Sequence, residues 1–66
     1  MNLILNGTPQ EFPAPLPIRG LLDHLGLGEK PVVVELNLRA IFPREFPNTM
    51  VNEGDRVEIV QITAGG

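Results

Sequence analysis

Pro17-Ile18-Arg19-Gly20-Leu21-Leu22-Asp23-His24-Leu25-Gly26, followed after a short turn by Pro31-Val32-Val33-Val34-Glu35-Leu36-Asn37, changes its hydrophobic period part-way and so decides the fold. Ile18, Leu21, Leu22 and Leu25 recur at i, i+3, i+4 and i+7, which is one face of an α-helix. Pro17 suits a helix start and Gly26 a C-terminal cap, so the spacing predicts about two turns over 18–25. Gly20 inside them costs roughly 1 kcal/mol against alanine, and a helix this short needs a sheet to lie on. The run from Val32 is dense in β-branched residues and reads as a strand.

Working outward, Met1–Asn6 reads as a strand with Leu3 and Leu5 on one face and Asn2, Ile4 and Asn6 on the other. Asn6-Gly7 predicts a hairpin, because a type I′ turn needs positive φ at both central residues, and 10–12 can return antiparallel. Pro13, Pro15 and Pro17 forbid a long second strand and predict an extended, edge-like lead-in. On the other side, residues 38–48 are irregular, broken by Pro43 and Pro47. Asn52-Glu53-Gly54-Asp55 signals a turn, and Arg56–Thr63 a last strand. A hairpin, a helix-bearing connection and two further strands fit a mixed sheet of four to five strands packed on one short helix. That is an α+β, β-grasp arrangement, with the last strand expected beside the first.

Size and charge narrow the function. The 66 residues, 42% hydrophobic and 20% charged, allow one domain, 1–66, with a flexible tail expected from about 63. A chain this short buries only about 60% of the surface its unfolded form exposes. Almost every apolar side chain is then committed to one core, leaving little room for an enclosed substrate pocket of ~300–1,000 Å3. There are no cysteines and one histidine, His24, which excludes disulfides, cysteine-ligated zinc and His–His sites. A net charge of −3 has the wrong sign for a phosphate backbone. With no membrane span and no secretory signal in the sequence, the expectation is a cytoplasmic carrier, binding module or subunit, with no bound cofactor or metal, no nucleic acid and no membrane.

The end of the chain, Thr63-Ala64-Gly65-Gly66, is the most informative feature. At ordinary glycine usage two terminal glycines arise by chance in roughly one chain in 200. Without a Cβ, Gly65 makes a slim neck that lets another protein approach the Gly66 carboxylate. Fully extended, 63–66 reach about 13 Å past the strand. The competing reading is a frayed terminus that happens to be small. Beside the tail, Val57 and Ile59 are assigned to the core, whereas Val60 and Ile62 point the other way. They are candidate partner contacts on an exposed apolar patch, unless Phe42 or Phe46 covers them.

Gly54-Asp55-Arg56-Val57-Glu58-Ile59-Val60 ahead of Gly65-Gly66, together with Leu36-Asn37 and Ile41-Phe42-Pro43-Arg44-Glu45, resembles the ThiS family of sulfur carriers over the whole length. Phe46-Pro47 departs from the family pattern. The resemblance implies a non-enzymatic, ubiquitin-like carrier whose Gly66 carboxylate is adenylated by a ThiF-like E1 enzyme using MgATP. A sulfur donor such as a cysteine desulfurase would supply the sulfur of a thiocarboxylate. Thiazole synthase (ThiG) would then take that sulfur into the thiazole of thiamin, with Gly65 and Ala64 inside the partner's active site. Carriers for molybdopterin or tRNA thiolation share the same tail, and a noncovalent ubiquitin-like module is the alternative of another class.

Other residues carry weaker signals. His24 has no orienting partner in the sequence and reads as an exposed or packing residue. Glu53, Asp55 and Glu58 read as turn and surface residues ahead of a metal or acid–base cluster. For Arg44 and Glu45 the expectation is a turn-stabilising ion pair, worth at most about 1 kcal/mol.

Overall fold

In a computed structural model that describes residues 1–63, the strands are β1 (Asn2–Leu5), β2 (Thr8–Glu11), β3 (Leu16–Pro17), β4 (Val32–Leu36), β5 (Arg39–Ile41), β6 (Met50–Val51) and β7 (Arg56–Gln61). The helix α1 (Ile18–His24) follows β3, and a single 3-10 turn spans Pro43–Glu45. Five strands form one sheet in the order β2-β1-β7-β4-β5, while β3 and β6 make a separate two-stranded ribbon. The β1–β7 pair is parallel; the other four strand pairs are antiparallel. This is the mixed sheet on one short helix that the sequence predicts, with the last strand at its centre.

The expected hairpin turn and helix stop are present. Asn6 and Gly7 have φ of 49° and 80°, and Leu5 pairs directly with Thr8. A two-residue turn therefore closes the hairpin, and β2 begins two residues earlier than the sequence suggests. Pro9, which cannot donate to a ladder, sits in edge strand β2. At the end of α1, Leu27 N–H donates to the Leu22 carbonyl (2.8 Å) and Gly26 N–H to that of Asp23 (3.1 Å). Gly26 stands at φ 76°, so the helix stops in a Schellman motif, where a left-handed glycine is cheapest.

The stretch 38–51 holds three elements that the sequence leaves unreadable. Asn37 and Leu38 both have positive φ, 50° and 71°, and Leu36 pairs with Arg39. This is a second two-residue hairpin turn, with leucine where glycine is usual. After β5 and the 3-10 turn, the chain crosses the start of α1. Ile18 N–H donates to the Thr49 carbonyl (2.8 Å) and Arg19 N–H to that of Phe46 (3.0 Å). The crossing segment thereby satisfies helix donors that Pro17, which makes no side-chain cap, leaves open.

The core lies between α1 and one face of the sheet. Ile18, Leu21 and Leu22 from the helix meet Leu3, Leu5, Val32, Val34, Ile41, Val57 and Ile59 from the strands. Phe12, Phe46 and Val51 close its ends. No charged or polar residue of the described chain is buried among them.

Candidate functional site

The register of the central strand places the root of the C-terminal tail. Running antiparallel to β4, β7 pairs with it from Val57 opposite Leu36 to Gln61 opposite Val32. One further rung holds: Ile62 N–H donates to the Pro31 carbonyl at 2.9 Å. The backbone is thus gripped by the body up to Ile62. Ala64, Gly65 and Gly66, expected to enter a partner's active site, lie outside the described residues.

Val60 and Ile62 are both exposed, at 61% and 53%. Neither Phe42, itself exposed, nor Phe46, buried in the core, covers them. They face different surroundings, however. Val60 alternates with buried Ile59 and stands opposite Val33 on the sheet face away from the helix, one rung from Gln61 opposite Val32. Ile62, just past the strand, lines a groove of about 450 Å3 together with Arg19, Lys30, Pro31, Pro43 and Phe46. The apolar surface expected as one patch is divided between the two sides of the tail's root.

The motif residues 37 and 52–56 stand at the other end of β7 and hold turns together. Asn37 Nδ2 donates to Asp55 Oδ1 (3.1 Å), and Asn37 Oδ1 accepts the Arg56 N–H (2.9 Å). Asp55 Oδ2 also accepts the Asn52 N–H (2.8 Å), and Glu53 Oε1 that of Asn2 (2.9 Å). On the hairpin side, Asn6 Oδ1 accepts the Ile59 N–H (2.7 Å). Asp55 and Glu53 are therefore backbone-binding carboxylates. Among the described residues no group of three or more His, Cys, Asp or Glu is placed to hold a metal ion.

Two weaker expectations resolve differently. The Arg44–Glu45 ion pair is replaced by two separate contacts. Glu45 Oε2 accepts the Phe42 N–H (2.8 Å) at the start of the 3-10 turn, whereas the Arg44 guanidinium lies over the Phe42 ring, 5.4 Å from its centroid. Adjacent residues on a tight turn point apart, so each finds a partner on residue 42 instead. His24 packs edge-to-face on Phe12, centroids 5.2 Å apart at 73°, so its ring serves packing. Arg19 carries no signal in the sequence, yet it lies 5.3 Å over the Phe46 ring and donates through Nη1 to the Gly28 carbonyl. Its partners come from two distant segments, so nothing in its own neighbourhood marks it.

Comparison with known proteins agrees with the described fold. The model of the ThiS family matches residues 3–66. The chain belongs to the ThiS family. Among solved structures, the thiamine biosynthesis protein (ThiS) of Geobacter metallireducens superposes with a TM-score of 0.86 at 35% identity, each chain covered over 100%. The sulfur carrier protein ThiS of Thermus thermophilus is 34% identical over 62 residues, covering 94% of this chain and 95% of that protein. A thiazole synthase of Paramagnetospirillum magneticum is 36% identical over 66 residues. This ThiS-family chain spans all of its own length in that match but only 20% of the synthase. The mixed five-stranded sheet on one short helix is the ubiquitin-like β-grasp fold of the family.

Proposed function

We propose that this ThiS-family chain is a sulfur carrier for thiamin biosynthesis, acted on by other enzymes and catalysing nothing itself. The observation that carries the reading is the family match over residues 3–66 of a chain whose central strand ends at Gln61, three residues before Ala64-Gly65-Gly66 in the sequence. The Gly66 carboxylate attacks the α-phosphate of ATP in a ThiF-like E1 enzyme, releasing pyrophosphate and leaving an acyl adenylate. A persulfide on a donor such as a cysteine desulfurase attacks the acyl carbonyl and displaces AMP. A second thiol of the donor or activating enzyme then cleaves the acyl disulfide, leaving the thiocarboxylate and a protein disulfide. Gly65 and Ala64 supply the narrow neck that lets the carboxylate reach so far into a partner. Thiazole synthase (ThiG) consumes the sulfur; the synthase that contains a stretch similar to this whole chain supports that pairing. The exposed Val60 and Ile62 beside the root offer the body's contacts.

Intact mass after incubation with host extract, MgATP and a sulfur source tests the proposal. The expected result is a gain equal to replacing one oxygen by sulfur, abolished when Gly66 is deleted. An unchanged mass in an extract that loads a control carrier would refute it.

A further inference from the structure

The groove at the tail's root is built differently from the rest of the surface. In a chain of net charge −3, its lining contains Arg19 and Lys30 against a single carboxylate, that of Glu29. Its apolar parts are Pro31, Pro43, the edge of Phe46 and Ile62. Arg19 is held before any partner arrives, since it lies over the Phe46 ring and donates to the Gly28 carbonyl. A guanidinium fixed by stacking still has donors in a rigid fork, suited to a carboxylate. Ile62 ties the groove to the tail, because its N–H is bonded to Pro31 and the next described residue, Thr63, is the last before Ala64. The groove's rim therefore lies at Ile62, two residues before Ala64 and one before the described residues end.

We propose that this groove seats a carboxylate side chain, flanked by apolar residues, from the E1-like enzyme that activates the tail. The inference rests on the carrier reading. Apolar contact with Ile62, Pro31 and Pro43 supplies buried area, and the cationic pair sets which surface docks and in what orientation. The role of Arg19 and Lys30 is positional: they orient the partner and take no part in the transfer itself.

The test is ATP–pyrophosphate exchange by the purified activating enzyme of the same host, measured against carrier concentration. Lys30→Glu reverses an exposed charge outside the core, and Arg19→Gln removes the fork; urea unfolding verifies that each folds. We expect both to raise the half-saturating carrier concentration, by roughly tenfold for Lys30→Glu, with the maximal rate unchanged. Raising ionic strength should weaken the wild type more than either variant, because the attraction is screened over ~10 Å at 0.1 M salt. Glu11→Gln, on the far edge strand, should change nothing. An unchanged half-saturation for Lys30→Glu, or a loss confined to the maximal rate, would overturn the inference while leaving the carrier reading intact. If the wild type supports no exchange with an enzyme that activates another carrier, the carrier reading fails and this inference fails with it.

Discussion

Replacing Asn37 by alanine should cost this small domain a large part of its stability. Three losses combine. The bonds from Asn37 Nδ2 to Asp55 and from Arg56 N–H to Asn37 Oδ1 disappear, each worth about 0.5–1.5 kcal/mol net. Alanine must also hold φ near 50°, a left-handed position that asparagine tolerates and that costs other residues about 1–2 kcal/mol. Because both bonds are exposed, the lower part of each range applies, and the sum is about 2–3 kcal/mol. A chain of this length has a total stability of roughly 3–10 kcal/mol. With a urea m-value of about 1 kcal/mol/M, the midpoint should fall by about 2–3 M. Equilibrium urea unfolding followed by far-UV circular dichroism reads this directly. A cycle with Asp55→Ala isolates the bond between the two turns, expected at about 0.5–1.5 kcal/mol of coupling. A loss below about 1 kcal/mol, or strict additivity of the two substitutions, would refute the claim that these motif residues are a structural tie.

Two substitutions should stabilise the protein. Leu38→Gly removes a left-handed strain at a leucine that is 80% exposed; after the entropy of glycine is subtracted the gain is about 0.5 kcal/mol, or roughly 2–4 °C in Tm by scanning calorimetry. Gly20→Ala places a Cβ 3.5 Å from Pro17 Cδ, an ordinary contact. It should therefore recover about 0.5–1 kcal/mol of helix propensity, visible as a higher urea midpoint. A lower midpoint would show that Pro17 cannot accommodate the methyl group.

The two hairpin turns show where the sequence is legible and where it is not. Asn6-Gly7 announces itself because glycine at positive φ is chemically transparent. Asn37-Leu38 adopts two positive φ values as well, yet leucine carries no such signal. The conformation is imposed from outside, by Asn37 bonding to Asp55 and Arg56 across the sheet. The helix, β4 and the core side of β7 are readable because their periodicities are local. Residues 43–51 are not, since they answer to α1, whose first donors they satisfy. Of the candidate site, the family is legible in Gly65-Gly66 and the family segment, and the exposure of Val60 in strand alternation. Arg19 and the groove are not, because they arise from segments that meet only in the folded chain.

The position of β7 has a consequence for how the protein is made. The centre of the sheet is supplied by the last of the described strands, pairing with β1 across almost the whole chain. Until residues 56–61 have left the ribosome, the hairpins β1–β2 and β4–β5 have open edges and nothing to join them. High contact order of this kind slows folding and exposes unpaired edges on the way. It also works as a form of proofreading. A chain truncated before β7 cannot close its sheet and is left as an unfolded substrate for proteases, so a folded body certifies that translation has run through to the threshold of the tail.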